Sequence, residues 1–243
     1  VPLSQLFSER WYPIENYYGI LPLILGSLVV TLGASLVAVP FGILTAVFIA
    51  EIAPKWLQEI MKPLVELLAG LPSVVLGFLG ILVVSPFLRD TLNLPTGLTA
   101  LTGSLLLGGI AIPTIVSISE DALNNVPDSY RHGSLALGLT RWQTTWGVTV
   151  PAAKSGILMA VMLGVGRTIG ETMTVMMVTG NAPILPTSLQ ALFMPIRTMT
   201  ATIASEMGEV ATGSPHYHVL FFIGMVLFLF TLLVNVIASN ISS

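Results

Sequence analysis

Residues 20–50 read ILPLILGSLVVTLGASLVAVPFGILTAVFIA, and no charged residue stands between Glu15 and Glu51. The run exceeds the roughly 20 apolar residues that an α-helix needs to cross a hydrocarbon core of about 30 Å. A barrel strand would alternate apolar and polar residues with period two, and this run does not. It reads as a membrane helix at 20–50, and the rest of the chain repeats the pattern. Charge-free runs between Glu66 and Arg89, between Asp90 and Glu120, and from Glu209 to the C-terminus place further helices at 64–86, 97–119 and 218–239. A last apolar stretch, 151–179, is different. It carries Arg167 and Glu171, and its midpoint is residue 165, so Arg167 falls near the middle of the membrane. The fold class expected is an all-α integral membrane protein with five membrane helices.

Composition agrees. Of 243 residues, 54% are hydrophobic and 9% are charged, where a soluble domain carries about 25% charged residues; the mean hydropathy is +0.90. Nine basic and twelve acidic residues cannot wet the surface of a soluble protein, and the chain is too apolar for disorder. A net charge of −3 rules against a nucleic-acid partner, which needs a concentrated basic surface. Cysteine is absent, which removes disulfides, thiolate chemistry and Cys-based metal sites. There is no Walker loop for ATP and no Ser in a GxSxG setting, so no cofactor is expected on this chain.

Charge placement orients the spans. Lys55, Lys62, Arg131, Arg141 and Lys154 fall on one side, and Arg10, Arg89 and Arg197 on the other. The positive-inside rule puts 52–63 and 120–154 in the cytoplasm. The start of the chain is then outside and its C-terminus inside. A chain that starts outside at Val1 without a signal peptide implies an earlier helix. Pro40, Pro72 and Pro113 fall in or near the spans, where kinks are expected. The outer loop 180–217 leaves room for a short helix at 197–211.

The cytoplasmic segment 120–150 is not a polar linker. Asn124 or Asn125 is placed to cap a short helix with Pro127 and Asp128 in its first turn, and Gly138 stops it. Thr140 and Gln143 form a capping-box pair for a second short helix, which puts Trp142 and Trp146 on one face. Pro151 opens the next span.

This segment resembles the EAA loop of importer permeases of the ATP-binding-cassette class: Glu-Ala-Ala, three residues, Gly, nine residues, then Ile-x-Leu-Pro. The register here is His132, Gly133, Ser134, then Gly138, then Val148, Val150 and Pro151. The spacing matches throughout. His132 stands where Glu is usual, and Gly133 and Ser134 where two Ala are usual, so small size is kept and the acid is lost. GVGRTIGETMTVMMVTGN at 164–181, LLAGLPSVVLGF at 67–78 and RTMTATIASEMGE at 197–209 resemble the phosphate-importer permeases of the Pst C type. The resemblance implies a MetI-like helical bundle, a single importer transmembrane domain over 1–243 in the bacterial or archaeal plasma (inner) membrane, and a family helix missing ahead of residue 1. It implies inorganic phosphate as substrate, with another oxyanion or small solute as the alternative. The implied partners are a second permease of Pst A type, an ATPase dimer of Pst B type that holds ATP and Mg, an extracytoplasmic phosphate-binding protein of Pst S type, and membrane lipid. Arg131, His132, Gly133, Ser134, Gly138, Val148, Val150 and Pro151 would then form the ATPase coupling loop.

Arg167 and Glu171, four residues apart, are expected on one helix face, with Ala160 and Gly164 on the same stripe for close packing. A charge at mid-membrane costs about 2.5–3.5 kcal/mol, so it must face protein or water. One reading is a structural ion pair. The other is an oxyanion path, in which the guanidinium fork matches phosphate oxygens and Glu171 holds the arginine or repels the anion after passage. His216 and His218, with Glu206 or Glu209, form an incomplete metal ligand set and read as an interfacial cluster. An intramembrane enzyme using Arg167, Glu171 and His132 is the alternative class. His132 and Arg167 are then separated by roughly 20 Å of helix.

Overall fold

The computed structural model describes residues 3–242, with side chains for 5–237; the ends of the expected domain, residues 1, 2 and 243, lie outside the described residues. After a helical turn, Leu3–Leu6, and a two-stranded hairpin (β1 Trp11–Tyr12, β2 Tyr17–Tyr18) the described chain is helical. The main helices are α1 (Leu21–Ile52), α2 (Lys55–Ala69), α3 (Ser73–Leu92), α4 (Ala100–Asn124), α5 (Asp128–Ala136), α6 (Arg141–Ala152), α7 (Lys154–Gly170), α8 (Met173–Val178), α9 (Met199–Glu206) and α10 (Pro215–Ser242). Among the described residues α1, α3, α4 and α10 are long and apolar enough to cross a membrane, and α6 with α7, bent by 70°, makes a fifth if the pair is one span.

The residues of these spans explain their surroundings. Only 11% of the most apolar window of α10 is buried, against 56% for α4. Phe221, Met225, Phe228, Leu229 and Leu232 of α10 are exposed. Such a surface is stable only where the solvent is hydrocarbon. Proline is carried inside α1 at Pro40 and inside α4 at Pro113.

Three sequence-based boundaries are corrected. The span expected at 64–86 is two helices, α2 and α3, because Gly70 and Pro72 interrupt the run and Pro72 takes an extended conformation before Ser73. The span expected at 151–179 is three pieces. Pro151 does not open it but lies in the last turn of α6; α7 starts at Lys154, ends at Gly170, and α8 resumes at Met173. Asn124 does not cap α5. It is the last residue of α4, its amide donating to Glu120 Oε1 at 2.6 Å, and Pro127 occupies the N-cap of α5.

The chain forms two compact units. One comprises Val1–Leu36, Pro72–Gly108 and Thr168–Leu233; the other comprises Val37–Leu71, Gly109–Arg167 and Val234–Ser243. In the first, Trp11, Tyr18, Ile20, Leu23, Met199, Val219, Leu220 and Ile223 form one core and Val30, Ala34, Ala100, Leu107, Val175 and Ile196 another. Glu206 binds this unit together. It accepts from Trp11 Nε1 (3.1 Å), pairs with Arg197 Nη1 (2.8 Å) and meets His216 Nε2 (2.8 Å). Thr198 caps α9 through the Ala201 amide. In the second unit, Ala46, Val47, Ile49, Val65, Val116, Leu123, Val126, Ala153 and Ile157 form the core. Lys62 of α2 pairs with Glu120 (2.7 Å) and Asp121 (2.8 Å) of α4. The hydrogen bond to Asp121, then that to Glu120, raises the Lys62 ammonium well above its ordinary value, so it stays charged at neutral pH.

A Cβ on Gly26 of α1 would collide with the Arg197 backbone carbonyl, so this close approach exists only because Gly26 has no side chain. Gly26→Ala is predicted to lower stability by about 1–3 kcal/mol, the usual cost of overpacking. Gly109→Ala, with nothing within 4 Å of its Cβ, is predicted to cost nothing, since alanine is the better helix former by about 1 kcal/mol. Thermal unfolding of the detergent-solubilised protein checks both.

Candidate translocation-path charges and coupling surface

Arg167 lies in the last turn of α7 and is half-buried. Its Nη1 donates to Thr114 Oγ1 of α4 at 2.8 Å, and its Nη2 to the Ala69 carbonyl at 3.0 Å. Ala69 is the last residue of α2, so the guanidinium sits at a helix C-terminus, where carbonyls lack intrahelical partners and the helix dipole is negative. Close packing of α7 brings it there. A Cβ on Gly164 would fall 2.8 Å from Ile115 Cδ1, and one on Gly156 3.5 Å from Ala122 Cα.

Glu171 is not on the helical face of Arg167. Gly170 ends α7, and Glu171 and Thr172 are outside regular helix. Its carboxylate accepts from the amide and the hydroxyl of Thr174, each at 3.4 Å, and its carbonyl accepts from Thr200 Oγ1 at 3.0 Å. Thr174 Oγ1 also reaches the Ser73 carbonyl (3.0 Å), which fixes α8 on α3. A cavity of about 10 Å³ beside Glu171 is lined by the hydroxyl residues Ser27, Thr31, Thr168, Thr198 and Thr200. It has room for about one water. The expected i, i+4 pair is therefore replaced by two separately anchored charges.

The coupling segment is built on a tight turn. Gly138 has φ +88°. The Leu139 amide donates to the Ser134 carbonyl (3.2 Å) and the Gly138 amide to the Leu135 carbonyl (3.0 Å), the two bonds of a Schellman ending. Thr140 and Gln143 form the expected capping box at the start of α6. His132, Gly133, Leu135, Leu137, Gly138, Arg141 and Trp142 are exposed, and the Cβ position of Gly133 is open. Ser134, expected beside Gly133 on the approach surface, is buried and donates to Thr144 Oγ1 at 3.0 Å. Val148 and Val150 are half-buried and Pro151 is exposed. Arg131 points inward. It pairs with Glu51 at 2.7 Å and donates to the Val126 and Leu123 carbonyls at 2.7 and 2.8 Å.

Sequence reasoning missed Glu51, Thr114 and the Ala69 carbonyl. Glu51 had a signal, since it is an acid at the end of an apolar run. Thr114 and Ala69 had none, because their role depends on which helices meet. Among the metal-ligand candidates, His216 is engaged with Glu206 and lies against the rings of Trp11 and Tyr18. His218 lies edge-on to Tyr217.

The family of binding-protein-dependent transport system inner membrane components matches residues 38–243. The probable ABC transporter permease protein YqgH of Bacillus subtilis is 43% identical over 245 residues, covering 98% of this chain and 78% of that protein. The phosphate transport system permease protein PstC of Mesorhizobium japonicum is 37% identical over 254 residues, covering 97% of this chain and 76% of that protein. Among solved structures, an inward-facing form of the MetNI methionine ABC transporter superposes with a TM-score of 0.66 at 19% identity, over 92% of this chain and 93% of that one, which is a likeness of fold. The relatives are transport permeases, so the enzyme reading of Arg167, Glu171 and His132 falls. The chain belongs to the binding-protein-dependent transport system inner membrane components, and it is a membrane-spanning permease with the fold of the ATP-binding-cassette importers.

Proposed function

We propose that this permease carries inorganic phosphate across a bacterial or archaeal plasma membrane. The observation that carries the reading is the likeness to permeases named for phosphate transport over 97% of the chain. Residues 1–243 act as one importer transmembrane domain, starting outside and ending in the cytoplasm. Arg167 offers the fork that suits a phosphate oxyanion, and Glu171 lies beside the same path among hydroxyls. A second permease of Pst A type completes the path. A phosphate-binding protein of Pst S type delivers the anion outside, and an ATPase dimer of Pst B type, holding ATP and Mg, docks on α5 and α6. Around that surface Arg131 and Ser134 hold the helices from within, His132, Gly133 and Gly138 face the ATPase, and Val148, Val150 and Pro151 lead back to α7.

Uptake of radiolabelled phosphate by the reconstituted complex tests the substrate. Arg167→Gln is predicted to lower uptake roughly 10- to 100-fold, the worth of a charge-assisted hydrogen bond, with Arg167→Lys in between. Thr114→Val removes a hydroxyl partner but keeps the cation, and is predicted to retain most uptake. Equal losses in Thr114→Val and Arg167→Gln would make Arg167 structural. Uptake of another oxyanion in place of phosphate would favour the alternative substrate.

The docking surface is tested at Gly138. Its left-handed φ and open Cβ position separate backbone conformation from bulk. Asparagine tolerates that region and a β-branched residue does not. Gly138→Asn is predicted to keep substrate-stimulated ATP hydrolysis by the complex and Gly138→Val to abolish it. Full stimulation in Gly138→Val would refute docking through this turn.

A further inference from the structure

We infer that Glu51 is the positioning residue that ties the coupling helix α5 to the membrane helix α1, acting through Arg131. The inference rests on the reading that α5 and α6 receive the ATPase. Arg131 lies in the middle of α5 and Glu51 in the last turn of α1, a π-turn at Phe48–Ile52. Both Nε and Nη2 of Arg131 donate to the same oxygen, Glu51 Oε1, at 3.2 and 2.7 Å. Nη2 also donates to the Leu123 carbonyl at 2.8 Å, and Nη1 to the Val126 carbonyl at 2.7 Å and to Asp128 Oδ1 at 3.3 Å. A guanidinium has five N–H groups, and all are engaged.

The partners differ in weight. Asp128 is 82% exposed and its pairing is screened by water. Glu51 is 8% exposed and Arg131 20%, so this pair is weakly screened and charge-assisted. The two carbonyls are the frayed end of α4, which the arginine caps. One side chain of α5 therefore grips the ends of two membrane helices, and the charge that holds it belongs to α1. The Ser134–Thr144 hydrogen bond joins α5 to α6, so force received on either short helix passes through Arg131 to Glu51. The other buried carboxylate of this region, Glu120, pairs with Lys62 of α2 and makes no bond to α5.

The test uses the whole reconstituted complex and reads phosphate taken up per ATP hydrolysed. This ratio does not depend on how much complex has folded. Glu51→Gln keeps the shape and removes the charge, and is predicted to lower the ratio about threefold, within the range by which intermediate residues modulate coupling. Glu51→Asp is predicted to restore most of it, and Glu120→Gln to leave it at the wild-type value. An unchanged ratio in Glu51→Gln, or an equal fall in Glu120→Gln, overturns the proposal. A second measurement needs no phosphate. The chain lacks cysteine, so spin labels on Leu44→Cys and Leu137→Cys report the α1–α5 distance with and without ATP and Mg. The distance is predicted to hold in the wild-type background and to broaden with Glu51→Gln; a wild-type distance that changes with ATP overturns the rigid tie. Cross-linking of Leu137→Cys to the ATPase keeps the two readings apart. No cross-link sinks the docking assignment and this proposal with it, whereas a cross-link with an intact ratio sinks the Glu51 tie alone.

Discussion

A helix that ends in or near hydrocarbon leaves carbonyl groups that water cannot reach, and each must find a donor inside the protein. Two arginines meet that demand here. Arg167 donates to Ala69 at the end of α2, and Arg131 to Leu123 and Val126 at the end of α4. Both candidate functional regions are thus built on the same device. In each, the cation is held by a helix terminus, and its remaining N–H groups reach a side chain on another element: Thr114 in one case, Glu51 in the other. The arginines are tolerated near the membrane because their charge satisfies groups that would otherwise be orphaned.

This changes the meaning of the Arg167–Glu171 spacing. On an unbroken helix the two would form a local pair and neutralise each other. With α7 ending at Gly170, Glu171 is anchored by Thr174 and Thr200, and Arg167 by Thr114 and Ala69. The arginine keeps a cationic character that an intrahelical carboxylate would have cancelled. That suits a residue meant to attract an anion without holding it permanently.

The spans were legible in the sequence because their signal is the absence of charge over about 20 residues, which depends on no tertiary contact. The Gly138 stop and the Thr140–Gln143 box were legible for the same reason, since their partners lie within a few residues. The breaks at Gly70–Pro72 and at Ala153 and Glu171 were not. A break is decided by whether neighbouring groups can satisfy the freed carbonyls, and those neighbours are distant in sequence. Asn124 shows the competition directly: its own side chain is a good cap, but Arg131 holds the carbonyls of α4 and the helix runs on to it. Glu206, read as a spare metal ligand, is instead the acceptor on which Trp11, Arg197 and His216 converge, a meeting of segments that no local pattern announces.

Among the described residues, three helices contain a π-turn, at Phe48–Ile52, Gly80–Val84 and Thr145–Thr149. Each is equivalent to one residue inserted into an α-helix. The first ends α1 and carries Glu51. Deleting a single residue there would let the turn relax to ordinary α-helix and swing whatever follows by about 100°. The direction in which Glu51 faces is therefore a matter of residue count as much as of residue type. Lineages of this permease that gain or lose one residue before position 51 should change their acidic partner for α5 at the same step.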